Sequence, residues 1–308
     1  MSHDDLPPPY YTVVSTLETE QRDVASHIRK LSQDIVNCDQ LFYDIGVLFE
    51  GRYTVQVAPP SVADSWRKHK QTFKDIIWAA RGAATNVQVR NTDFIDVILP
   101  ALGNPSISRE NKIKELKTFI ARPLPKFLTS TESAEKIGEI NVGITNGLKE
   151  YEESADKMVN SINAEIAKLE GERDKQKEQE KASQEKKGRL SWLRSQPATA
   201  PTSSGSGSAE YDSKIAEEKS KLETINKQRN DLKSKLADIR FALNTIPEQV
   251  GQCFLTTWTH LTNDATHLKN RMEGSTTDPL PDIAGVIRVY KTINDALEYY
   301  STNVSNQH

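Results

Sequence analysis

IGEINVGITNGLKEYEESADKMVNSINAEIAKL, residues 137–169, carries apolar side chains at Ile137, Ile140, Ile144, Leu148, Tyr151, Ala155, Met158, Ile162, Ile166 and Leu169. Every step is three or four residues, so on a helix of 3.6 residues per turn all of them share one face. The spacing predicts the first arm of a coiled coil, bounded at residues 130–194. The stripe stops at Leu169. From Glu170 to Lys187 the chain is nearly all Glu, Lys, Gln, Asp and Arg with interleaved sign, which suits a helix but offers almost nothing to bury. Residues 195–208 (SQPATAPTSSGSGS) then have the composition of a flexible connector at the tip. Beyond it a second stripe, in residues 209–273, runs through Tyr211, Ile215, Leu222, Ile225, Leu232, Leu236, Ile239, Leu243, Ile246, Val250, Phe254, Trp258, Leu261, Ala265, Leu268 and Met272. Two such stripes separated by a Ser/Gly/Pro breaker fold back as an antiparallel pair, and arms of this size project on the order of 80 Å. Pro247 lacks an N–H and is expected to kink or divide the second arm.

Outward from the hairpin, residues 1–11 read as a disordered N-terminus and residues 12–129 as the N-terminal part of a helical bundle. A long amphipathic helix is expected from Val14 to Phe49, on the apolar positions Val24, Ile28, Leu31, Ile35, Cys38, Phe42 and Ile45. Tyr53 to Pro60 is extended, Ser61 is a candidate cap, and a helix follows from about Val62. Phe94 to Leu102 is the most apolar stretch, with a turn expected around Pro100, Gly103 and Pro105 before a helix from about Ser108 to Ala121. Pro123 and Pro125 form a hinge, and residues 129–131 supply candidate caps for the first arm. A last bundle helix, residues 282–301, presents Val286, Tyr290, Ile293, Leu297 and Tyr300 on one face. The fold class is all-α: an elongated helical bundle with a long antiparallel coiled-coil hairpin.

Composition narrows the function. In 308 residues, 36% are hydrophobic and 27% charged, a balance that favours narrow seams over a thick core. The 40 basic and 43 acidic side chains are mixed along the chain, so no single-sign field attracts nucleic acid. The N-terminus is acidic and proline-rich where a secretory signal needs a basic start and an apolar run, and no apolar stretch approaches the ~20 residues of a spanning helix. A soluble protein is expected, cytoplasmic or released without a Sec-type signal, and peripheral at membranes. The two cysteines, Cys38 and Cys253, fall on apolar stripes as buried thiols. Of the six histidines only His260 and His267 share a helix at a suggestive spacing, with no carboxylate or cysteine beside them at a zinc-like interval. No phosphate loop, dinucleotide fingerprint, nucleophile elbow or HExxH is present. No enzyme, cofactor, metal or small-molecule substrate is therefore expected.

One local cluster stands out. Lys186, Lys187, Arg189, Leu190, Trp192, Leu193 and Arg194 set an apolar Trp/Leu group among basic side chains at the far end of the first arm. An indole ring suits a lipid headgroup layer and flanking cations gain from anionic lipid, so the cluster is a candidate membrane or partner contact. The alternative is a hydrophobic cap that ends the helix by tucking against Tyr211.

Helix order resembles that of the α-helical pore-forming toxins of the cytolysin A, haemolysin BL and xenorhabdolysin type. The parallel lies in the helix Val14 to Phe49, in the arms Ile137 to Leu169 and Tyr211 to Met272, and in the return through Trp258-Thr-His-Leu261 to Ala296-Leu-Glu-Tyr-Tyr300. The resemblance implies a non-enzymatic protein that acts by homo- or hetero-oligomeric assembly at a lipid membrane. Where such toxins commonly insert an apolar tongue, this sequence has the polar 195–208 connector. Polar backbone cannot enter hydrocarbon unless its hydrogen bonds close internally, so a component that assembles with an insertion-competent partner is the form implied. The other reading is a coiled-coil scaffold or tether that binds partner helices along its seams.

Overall fold

A computed structural model describes residues 10–51, 55–129, 131–191, 206–274 and 282–304. The described residues are helical or in short connections. The helices are α1 (Tyr10–Glu50), α2 (Pro60–Asp93), α3 (Leu99–Gly103), α4 (Arg109–Ile120), α5 (Glu132–Ser191), α6 (Ser206–Val250), α7 (Thr256–Glu273) and α8 (Ile283–Asn303). Two π-helical turns, Phe94–Ile98 and Gly251–Leu255, join α2 to α3 and α6 to α7, and a 3₁₀ turn, Lys126–Thr129, precedes α5. The chain divides into two compact units. One combines the described residues up to Tyr43 with Lys68–Val142 and those from Ala237 onward; the other combines Asp44–Arg67 with Gly143–Leu236.

In the second unit the arms pair antiparallel. Glu170 meets Lys219 at 3.3 Å and Arg173 meets Asp212 at 3.3 Å, so partners descend in α6 as they ascend in α5. Toward the far end of the seam Ile166, Leu169 and Ile215 are buried together, with Ile162 and Tyr211 packed against them, and the stripe continues buried through Tyr151, Ala155, Ile225 and Leu232. Closer to the other end of this unit the hairpin gains a third layer. Gly51, at φ 63°, takes the left-handed conformation that turns the chain out of α1, a conformation only glycine adopts without strain. Gln56 then donates to the carbonyls of Phe49 at 3.0 Å and Ala58 at 2.9 Å, which holds the turn closed. Residues 55–58 lie against the hairpin, where Ser154 Oγ donates to the Val57 carbonyl at 2.7 Å and Gln228 Nε2 to that of Val55 at 3.4 Å. Phe49 meets Trp66 edge-on at 5.4 Å and tilts against Tyr151 at 6.0 Å.

Ser61 does not cap α2. The helix opens one residue earlier at Pro60, whose fixed φ and missing N–H suit a first helical position, and Ser61 Oγ instead donates to Glu150 at 3.1 Å. Glu152 accepts from Arg229 and lies 3.1 Å from Lys233, while Arg229 also reaches Asp156 at 2.9 Å. Burial alone would raise the Glu152 carboxyl; the hydrogen bonds from Arg229 and Lys233 outweigh it and hold the group below the usual carboxylate range.

The first unit is thicker. Phe42 of α1 stacks on Phe73 of α2 at 4.8 Å; Phe94 meets Phe119 of α4 at 5.3 Å and Tyr290 of α8 at 5.2 Å; and Phe254 meets Tyr300 edge-on at 5.1 Å. Polar bonds then fix α8 against α2: Asn91 Nδ2 donates to the Tyr290 carbonyl at 2.9 Å, and Arg81 Nε donates to that of Ser301 at 2.7 Å. Ser108 caps α4 by accepting from the Asn111 N–H. Arg109 donates to the carbonyls of Met272 and Gly274, which covers orphan acceptors at the end of α7.

The second arm divides just past Pro247, as expected there, whereas Pro100 does not end its helix. The helix continues through Pro100 to Gly103, and α6 continues through Pro247 to Val250. A π-turn accompanies each proline, ending at Ile98 just before Pro100 and beginning at Gly251 just after Pro247. The extra residue in such a turn shifts the hydrogen-bond register and accommodates the bond the proline removes without ending the helix.

Candidate interaction sites

The candidate contact residues divide at the edge of what is described. Lys186, Lys187, Arg189 and Leu190 belong to the last turns of α5, but their side chains lie outside the described residues. Trp192, Leu193 and Arg194 lie wholly outside them, as does most of the 195–208 connector. Their mutual geometry and the alternative packing on Tyr211 therefore carry no structural statement.

The backbone leading to this cluster does. An added Cβ at Gly207, in the first turn of α6, would sit 2.7 Å from Gln176 Nε2 and 3.3 Å from Glu180 Oε1. The Gln176 and Glu180 side-chain tips lie against the start of α6. The start of α6 is thus level with residues 176–180, and α5 continues beyond it through residues 181–191. Lys181, Ala182, Ser183 and Glu185 in that extension are exposed. The charged run after Leu169 keeps the helix going and pairs across to α6 through charges in place of an apolar stripe.

A second polar feature was invisible in the sequence. Arg90 of α2 is 1% exposed, its guanidinium 4.3 Å from the Phe119 ring centroid and 4.1 Å from that of Trp258. Nη2 donates to Thr262 Oγ1 at 2.9 Å, while Nε and Nη1 have no hydrogen-bond partner among the described residues. Desolvation first, and then the neighbouring Arg122 cation, push its pKa down to about 10. Two aromatic faces compensate part of the burial, each worth up to ~2 kcal/mol when desolvated. Arg122 itself pairs with Asp93. Arg90 thus ties α2, α4 and α7 together with a charge that has no carboxylate of its own.

Cys38 and Cys253 are both buried free thiols, and desolvation raises both pKa values, that of Cys253 to about 12. They are poor nucleophiles for the same physical reason. Among the described residues no group of three or more His, Cys, Asp or Glu could hold a metal ion, and no helix is long and apolar enough to cross a membrane.

No protein-family model matches the chain, and no curated protein matches it in sequence. Solved structures do. The chain aligns with the soluble AhlC of AHL, a tripartite α-pore-forming toxin of Aeromonas hydrophila, at 15% identity and a TM-score of 0.30, covering 90% of this chain and 99% of that one. The triple head mutant of soluble AhlC aligns at 15% identity and a TM-score of 0.27, covering 90% of this chain and 98% of that one.

Proposed function

We propose that this protein is a non-enzymatic, toxin-like helical component that acts by assembly and membrane association together with a partner. The observation that carries the reading is the long antiparallel hairpin of α5 and α6, with the basic Trp/Leu cluster of the sequence at the far end of its first arm. The order of elements supports the same reading, with a long first helix, the hairpin, and a return through α7 to α8. The cluster's four cations favour anionic headgroups and Trp192 the interface, so the protein binds a lipid surface without spanning it.

Liposome co-sedimentation and leakage, measured with the protein alone and with the products of neighbouring genes, test this. Association with anionic vesicles, lost on Trp192→Ala combined with Lys186→Gln and Lys187→Gln, is the expected result. Absence of lipid association in every combination sinks the reading. It would leave the scaffold or tether, which is favoured by the ion pairs that join the arms between Glu170 and Lys219 and between Arg173 and Asp212.

A further inference from the structure

Arg90 is buried by helices that are held to different degrees. It stands on α2, which has 34 residues, and Trp258 belongs to α7, which follows α6 through a π-turn. The other ring, Phe119, comes from α4, which has 12 residues. An isolated helix of that length is marginal in water, so α4 depends on what it packs against. Its buried apolar side chains are Leu116 and Phe119. Inside, Lys112 Nζ donates to the Leu102 carbonyl at 2.8 Å. The remaining ties lie at the surface, from Arg109 to the carbonyls of Met272 and Gly274, from Lys117 to Glu273 at 2.8 Å and from Arg122 to Asp93, and exposed ion pairs contribute little. Both ends of α4 are non-helical connectors with proline. Pro105 lies between the end of α3 at Gly103 and the start of α4, and Pro123 and Pro125 lie between the end of α4 and the turn at Lys126.

The charge beneath this helix works against its closure. Nε and Nη1 of Arg90 are buried donors with no hydrogen-bond partner among the described residues, and unpaired donors on a buried cation are unfavourable. Asp93, three residues on, pairs with Arg122, and Asp264, two residues from Thr262, accepts from the Tyr290 hydroxyl. Water reaches the orphan donors only when a wall moves. The fold does not depend on the one hydrogen bond that Arg90 makes. Thr262 Oγ1 accepts it, and also donates to the Trp258 carbonyl at 2.8 Å, a bond that survives without Arg90. A methionine in the same slot would lie against both rings and leave no donor unpaired. Arginine therefore occupies a place that a neutral side chain would hold more stably.

We infer that α4 is a hinged flap, turning on its two proline connectors, and that the unpaired charge of Arg90 keeps its closure loose. Closed, Phe119 lies over the guanidinium and against Phe94. Open, Arg90 takes up water and the rings of Phe94, Phe119 and Trp258 are bared, while α8 keeps its bonds to α2 through Asn91 and Arg81. The opening is local, because few buried contacts hold α4 and many hold the helices beneath it. The motion belongs to the free chain and needs no lipid.

Native-state amide exchange of the full chain, without lipid, tests this. Residues 112–120 of α4 should exchange at least a hundredfold faster than residues 288–300 of α8. In Arg90→Met the flap closes more firmly: exchange across residues 112–120 slows at least tenfold, exchange in α8 is no faster than in the parent, and the thermal midpoint rises. Arg90→Lys keeps a charge in the slot and leaves exchange in α4 as fast as in the parent or faster, which separates the charge from the size of the side chain. Four results overturn the inference. One is exchange in α4 no faster than in α8. The second is an Arg90→Met chain whose α4 fails to slow. The third is loss of the fold in Arg90→Met, which would make the cation a required tie. The last is an Arg90→Lys chain that slows as the methionine variant does.

Discussion

The hairpin seam and the aromatic core of the first unit use the same helical chemistry to different depth. At Ile166, Leu169 and Ile215 two helices share a stripe one residue wide, with Ile162 and Tyr211 at its margin. Around Phe94, side chains from α2, α4, α7 and α8 converge, and Phe94, Phe119, Tyr290 and Arg90 are each no more than 1% exposed. A seam resists bending and separation only in proportion to the few contacts it has. A core excludes water from all sides, and every deletion within it leaves a hole. The protein thus concentrates stability in its many-helix part and leaves the hairpin free to be long.

Phe94→Ala breaks this contrast most severely. It removes a ring in contact with two others and should destabilise the protein by about 3–5 kcal/mol, read by urea unfolding followed through helical dichroism. An effect under about 1 kcal/mol would mean that the core is no tighter than the seam. Ile215→Ala should cost less, about 2 kcal/mol, because a two-helix seam collapses more readily around a missing side chain. Its signature is local: amide exchange accelerates in residues 162–172 and 208–218 and stays unchanged around Phe94. Uniform acceleration through both regions would show that the two unfold as one.

Acidification gives the smallest effect, and in the second unit it acts through Glu152. Glu152 has a folded pKa below its unfolded value of about 4.3, so its contribution is complete above that pH and is lost as pH falls through the folded value. As pH falls through that lowered value the contact between α5 and α6 at Arg229 and Lys233 should loosen. In Glu152→Gln that pH dependence disappears; an unchanged acid profile in the variant would assign the loss to other carboxylates.

Much of the hairpin could be read directly because a coiled-coil arm is a local pattern. Each of Ile137, Ile140 and Ile144 needs only the period of its own helix to declare which way it faces, and all three are buried. The same reasoning found the division of the second arm beside Pro247 but failed at Pro100, which reads as a turn and is instead carried within the helix after a neighbouring π-turn. Arg90 was also illegible. It sits in a polar run, Gln88-Val-Arg90-Asn-Thr-Asp93, and its burial comes from Phe119 and Trp258, residues far away in sequence whose rings close over it.

What the sequence determined by itself was therefore the class and the pairing: helices throughout, two apolar stripes, a polar break between them, and the basic Trp/Leu cluster at the far end of the first. Periodicity is enough for these because helix formation and facing are properties of a few turns. Only tertiary structure decided the pairing register of α5 and α6, where α2 begins and α6 gives way to α7, and which charge is buried. Those depend on the register and approach of segments distant in the chain, which local spacing does not specify.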